Sequence, residues 1–147
     1  MTRIETAIDI AATPTEVFHW LVEPDLLARW IRGFVSPEAV TQGPTRVGSR
    51  SSDVIEANGR RLVLETEITE LVTDRRLAIH IRYDGGENDD RYDLEPVASG
   101  TRLTYTSDVR LKGLVHLLSR AISPQLRARY ERDLAKVREH VEAARSG

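Results

Sequence analysis

No cysteine occurs in the 147 residues, which excludes disulfides, thiolate metal sites and cysteine nucleophiles. Long apolar runs are missing too. Nothing approaches the roughly 20 residues of a membrane-spanning helix, and the N-terminus carries no apolar core of a signal peptide, so the chain is expected in the cytoplasm without a membrane span. Charge of one sign is also lacking: 21 lysines and arginines stand against 23 acids, for a net charge of −2. A nucleic-acid partner needs a concentrated basic surface and is not expected. There is no glycine-rich phosphate loop, internal repeat or low-complexity tract. His19, His80, His116 and His140 share no metal-ligand spacing, and the serines lack a nucleophile elbow or a spaced histidine–acid pair. Neither a metal nor a bound cofactor is expected.

What is present is an ordinary globular balance, 40% hydrophobic and 30% charged. It suits one domain spanning residues 1–147, with a core that needs no staples, as a monomer or homodimer. Charge is unevenly placed. Basic residues prevail from Arg110 to Arg145, and Asp84 to Glu95 is acid-rich, which reads as a solvated helix and an acidic loop.

The stretch from Ser51 to Ile68 carries the most information. Asn58-Gly59 is a strong two-residue hairpin signal, and such a turn sets the register of both strands. Glu56 then faces Arg61, Ile55 faces Leu62, Asp53 faces Leu64 and Ser51 faces Thr66. Alternate residues point to opposite faces. One face holds Glu56/Arg61, Val54/Val63, Ser52/Glu65 and Arg50/Glu67, as a solvent face should. The other holds Ile55/Leu62, Asp53/Leu64, Ser51/Thr66 and Ser49/Ile68. A closed hydrocarbon core would not take Asp53, Ser51, Ser49 and Thr66. A cavity would.

The remaining punctuation orders the chain. Ile4, Thr6, Ile8 and Ile10 alternate as an opening strand. Thr13-Pro14-Thr15-Glu16 reads as an N-cap, a first-turn proline and a capping box, followed by a short helix bearing Val17, Phe18, Trp20 and Leu21. Glu23-Pro24 ends it. Asp25 is expected to cap a second short helix whose stripe is Leu26, Leu27, Trp30 and Ile31, stopped by Gly33. About six antiparallel strands follow, separated by Gly43-Pro44, Asn58-Gly59, Thr73-Asp74, Asp84-Gly85-Gly86 and Pro96 to Gly100. The last third is helical. Leu111, Leu114, Val115, Leu118 and Ile122 form one stripe, and Leu126, Tyr130, Leu134, Val137 and Val141 another. The helix is expected to begin between Leu111 and Val115, to kink or restart at Ser123-Pro124, and to run to about Ala143. It is the one element long enough to cover the sheet.

This order resembles the START/Bet v 1-like (SRPBCC) superfamily, and its local text resembles the bacterial polyketide cyclase/dehydrase and lipid-transport-like branch. The pieces are Ala12 to Phe18, Pro24-Asp25-Leu26-Leu27-Ala28-Arg29-Trp30, Val47-Gly48-Ser49, Tyr92 to Pro96, and Gly100 to Thr104. The resemblance implies an α+β helix-grip fold: a curved antiparallel sheet of six to seven strands around a long C-terminal helix, with two short helices after the first strand. It also implies an apolar or amphipathic small molecule held between sheet and helix.

Candidate binding residues are Trp30, Asp53, Leu64, Thr66, Ile79, Tyr83, Tyr92, Tyr105 and Ser107. Asp53 is either a carboxylate at a wet strand end beside Ser51 and Thr66 or an acid or base of the pocket. Tyr83, Tyr92 and Tyr105 fall on inward positions, where they either orient a ligand or pack as core rings with hydroxyls at a rim. Asp90 shares that row but adjoins the acidic loop, and is expected to be solvated. Trp30 is placed near the cavity mouth, as packing or as ligand contact, while Trp20 and Phe18 read as core and His116 as surface. Three functions fit: a carrier of a hydrophobic or aromatic molecule; a polyketide-type aromatase/cyclase or dehydratase moving protons with Asp53 and Tyr83, Tyr92 or Tyr105; or a protein-interaction domain resembling the Hsp90-ATPase-activator-like branch, docking through its basic final helix.

Overall fold

The computed structural model describes residues 1–146. Strand β1 (Thr2–Ile10) leads into helix α1 (Pro14–Val22), a 3₁₀ turn (Pro24–Leu26) and the single-turn helix α2 (Leu27–Trp30). Six strands follow: β2 (Phe34–Val40), β3 (Arg50–Ala57), β4 (Arg60–Val72), β5 (Arg76–Tyr83), β6 (Gly86–Val97) and β7 (Gly100–Leu111). A 3₁₀ segment (Gly113–Leu118) then leads into the long helix α3 (Ser119–Ser146). The strands form one antiparallel sheet in the order β1-β7-β6-β5-β4-β3-β2. This is the helix-grip arrangement.

The capping box at α1 is present in both directions: Thr13 Oγ1 accepts from the Glu16 backbone N–H, and the Glu16 carboxylate accepts from that of Thr13. The β3–β4 register is the one the Asn58-Gly59 turn demands, with Asp53 opposite Leu64 and Arg50 opposite Glu67. The latter pair meets at 2.8 Å on the exposed side and contributes about 0–1 kcal/mol because it is solvated.

Four local expectations are corrected. Asp25 does not cap α2; it sits inside the 3₁₀ turn, and α2 has no side-chain cap. Pro24 starts that turn itself, which leaves no free first turn for Asp25 to close. Val54, on the outer face, is nonetheless buried, because β3 is flanked there by Val63 on one side and Ser36 on the other. Helix α3 begins at Ser119, later than expected, and continues through Pro124 without restarting. Its irregular lead is the 3₁₀ segment instead, where Leu114 is 83% exposed and Val115 also faces solvent. The first apolar stripe therefore dissolves: its spacing is helical, but the backbone there is not α-helical. The Leu118 side chain lies outside the described residues.

Helix α3 rests mainly on β1 and against α1 and α2, burying Leu134, Val137 and Val141 among Ile10, Val17, Phe18, Leu21, Leu94 and Leu103. Polar ties fix its position. Arg127 and Arg145 donate to the backbone carbonyls of Glu5 and Ala11, and Glu142 accepts from the Ala11 N–H. Near the other edge of the helix, Arg129 and His140 bond the carbonyls of Arg32 and Arg29. The α2–β2 link is thereby pinned to α3, and Trp30 Nε1 donates to the Trp20 carbonyl at 2.9 Å to hold α2 on α1.

Two glycines permit close approaches here. Gly33 (φ +78°) and Gly100 (φ +141°) would each place a Cβ 2.2 Å from a backbone oxygen, that of Glu56 and of Ile10 respectively. Gly100→Ala is expected to destabilise the protein by about 2 kcal/mol or more, from strain at a glycine-only conformation plus the clash. Thr13→Ala should cost about 1 kcal/mol through loss of the cap. Urea denaturation midpoints check both.

Candidate functional site

The half of the sheet that α3 leaves uncovered encloses a cavity of about 420 Å³. Ile55, Leu62, Leu64 and Ile68 wall it from β3 and β4, Ile79 and Ile81 from β5, Leu111 from β7, and Ile122, Leu126 and Leu134 from α3. The short helices close it with Leu21, Leu27, Trp30 and Ile31. Period-two alternation on the strands and three- and four-residue spacing on α3 aim these side chains inward. An aromatic ladder runs along one wall. Trp30 meets Tyr92 edge-on at 6.2 Å, Tyr92 lies 4.8 Å from Tyr105, and Tyr105 meets Tyr130 edge-on at 4.7 Å.

Polar groups are set into this wall at a few points. Asp90 is 7% exposed; its two oxygens accept from Tyr105 Oη at 2.5 Å and Ser107 Oγ at 2.6 Å. Burial pushes its carboxyl up to about 6, against the pull of those two bonds. The Tyr130 hydroxyl approaches those of Ser107 and Tyr105, and burial raises it to about 12. Burial also raises Tyr92 and Tyr105 well above the usual phenol range, so all these rings stay protonated donors. Tyr83 donates to Asn88 Oδ1 at 2.7 Å and is likewise pushed up to about 12 by burial, with Asp90 adding to the effect. Asp53, buried, accepts from Ser51 Oγ; burial raises its carboxyl above the ordinary range. Asp133 on α3 accepts from the Arg32 N–H at 3.1 Å, and burial raises it to about 6 against that bond and the charges of Arg129, Arg132 and Arg32.

Eight expected residues come together on this cavity: Trp30, Asp53, Leu64, Thr66, Ile79, Tyr83, Tyr92 and Tyr105. Trp30 is core as well as wall, being almost fully buried. Ser107 does not line the space; it lies wholly buried behind Asp90 and supports it. The expectation of a solvated Asp90 is corrected. The β5–β6 turn is short, ending at Gly86 opposite Tyr83, so Asp90 sits four residues inside the ladder, opposite Ser107. Asn88 and Asp133 were missed. Asn88 alternates with Asp90 and Tyr92 on β6, which is the signal that could have found it. Asp133 falls between Tyr130 and Leu134 in the α3 stripe, a carboxyl where the spacing calls for an apolar residue.

A curved sheet closed by a helix over a mixed-polarity cavity defines a class of small-molecule-binding folds. The chain belongs to the polyketide cyclase/dehydrase and lipid transport family, whose model matches residues 1–142. Protein TTHA0849 of Thermus thermophilus is 22% identical, with a TM-score of 0.81 over 97% of this chain and 99% of that one. Protein CV1439 of Chromobacterium violaceum, also 22% identical, has a TM-score of 0.75 over the same shares. DynU16, a protein of the dynemicin biosynthetic locus, is 17% identical, with a TM-score of 0.72 over 97% of this chain and 48% of that one. No curated protein sequence matches the chain. At these identities the solved structures speak for the fold alone. Among the described residues no helix is long and apolar enough to cross a membrane.

Asp90 and Asp133 make stability depend on pH. Each has a folded value near 6 against about 3.9 unfolded, so the folded state holds protons more tightly. Their contribution is then most favourable below about pH 4, falls as pH rises to about 6, and is flat above. Urea midpoints of the wild type should decline across that window from these two groups. Asp90→Asn should flatten the decline; an unchanged profile would show that Asp90 does not titrate there.

Proposed function

We propose that this protein binds and carries a hydrophobic or aromatic small molecule in the cavity between the sheet and α3. The observation that carries the reading is the mixed wall: aliphatic and aromatic surface on all sides, with Asp53, Thr66, Asn88 and Asp90 set into it. Apolar burial contributes at roughly 25 cal/mol per Å², and a few polar groups orient what is buried. The lipid transport in the family's description is consistent with such a ligand.

Asp53 supports a second reading, as an acid–base group of a cyclase or dehydratase, because its carboxyl is raised and borders the cavity. The tyrosines support it less. Tyr105 and Tyr83 already give their protons to Asp90 and Asn88. A docking role for the basic helix is weaker again, since Arg127, Arg129 and Arg145 are tied to backbone carbonyls of their own chain.

Uptake of N-phenyl-1-naphthylamine, whose fluorescence rises in apolar surroundings, tests the binding reading. The wild type should take up the dye in a saturable way. Leu64→Arg, which puts a charge into the cavity wall, should abolish uptake while leaving the circular dichroism spectrum intact. A wild type that takes up no dye would refute cavity binding. Turnover lost in Asp53→Asn with binding retained would favour the enzyme.

A further inference from the structure

The wall of the cavity spends many of its hydrogen-bond donors on its own acceptors, and this bears on its ligand. Tyr105 and Ser107 both give their protons to Asp90. The Tyr130 hydroxyl neighbours both. Tyr83 donates to Asn88, Ser51 to Asp53, Thr66 to the Ser51 carbonyl, and Trp30 Nε1 to the Trp20 carbonyl. Among the described lining residues, the donors left over include the Tyr92 and Tyr130 phenols, the Asn88 amide and the Ser49 hydroxyl, whose oxygen accepts from Arg46 N–H. All four are neutral.

Two cations stand at the rim. Arg50 pairs with Glu67 at 2.8 Å on the exposed side, and Arg129 donates to the Arg32 carbonyl. What faces the space is acceptor capacity. Phenol oxygens line it, and Asp53, buried and opposite Leu64, has Ser51 as its single hydrogen-bond partner among the described residues. A carboxyl with two oxygens and one partner in an apolar wall is incompletely compensated.

We infer that the cavity selects apolar ligands bearing a hydrogen-bond donor, above all a protonated amine placed at Asp53, and rejects those ending in a carboxylate. The inference rests on the binding reading above and deepens it. An ammonium would supply Asp53 with the charged donor it lacks. A ligand carboxylate placed at Asp53 would be desolvated beside that carboxyl and Asp90, while of the lining cations Arg50 is paired with Glu67 and Arg129 is held at the Arg32 carbonyl beside Asp133. Glu65, behind Asp53, adds to the negative field on that wall.

The test is displacement of bound N-phenyl-1-naphthylamine by two ligands of matched skeleton, 4-phenylbutylamine and 4-phenylbutyrate, at about pH 7.5. The amine should displace the dye at a concentration at least about tenfold lower, corresponding to about 1.4 kcal/mol. In Asp53→Asn, checked for folding by circular dichroism, that preference should shrink to within about threefold. Equal or stronger displacement by the carboxylate overturns the inference on the wild type alone, whether or not the variant folds. An undiminished amine preference in a folded Asp53→Asn overturns the role of Asp53. A wild type that takes up no dye overturns the binding reading and this inference with it. Dye uptake without amine preference overturns only this one.

Discussion

The structure depends on a mismatch of widths. Seven strands about 4.8 Å apart make a sheet roughly 29 Å across, while a helix with its side chains is about 10 Å across. One helix cannot cover such a face. Because α3 settles on the β1 side, its Leu134, Val137 and Val141 close the core there. The inner residues of β3, β4 and β5 are left facing empty space. The cavity is thus the remainder of a covering problem, and its position follows from which edge of the sheet the helix chooses. That choice is made by polar ties as much as by apolar contact, since Arg127, Glu142 and Arg145 bind backbone groups of β1 and the residue that follows it.

The polar side chains set into this space are costly unless compensated, and the compensation is uneven. Asp90 is satisfied on both oxygens by a phenol and a hydroxyl, themselves held by neighbouring rings. Removing one partner of such a buried group costs the desolvation of what remains, about 1–3 kcal/mol, so the Asp90 cluster is a fixed part of the wall. Asp53 is held by one hydroxyl from its own strand. The contrast separates a structural carboxyl from one still able to interact.

Much of the fold was legible because it rests on local rules. The Asn58-Gly59 turn set the β3–β4 register pair by pair, and the Thr13-Pro14-Thr15-Glu16 run specified a cap that is present in full. Inward alternation placed Tyr83, Tyr92 and Tyr105 on one wall. Apart from the Asp25 cap, which failed on its neighbour Pro24, the failures needed a three-dimensional neighbour. Leu114 and Val115 have helical spacing, yet whether a stripe is buried depends on what lies opposite. Asp90 was judged by its distance along the chain from an acidic turn, whereas its environment comes from Ser107, seventeen residues away and directly across the ladder. Asp133 interrupts the α3 stripe, and the Arg32 amide facing it supplies the partner that a sequence alone does not show.

The pairing of β1 with β7 has a consequence for how the chain is made. Thr2 meets Val109 and Ile10 meets Thr101, so β1 has no sheet partner until β7 has been synthesised. During that interval Ile4, Ile8 and Ile10 are an apolar edge without a cover, in a topology whose distant contacts slow folding. The hairpins from β3 to β7 can form in order as they emerge. Closure of the barrel-like grip, and with it the shaping of the cavity, must wait for the last strand and helix to return to the first.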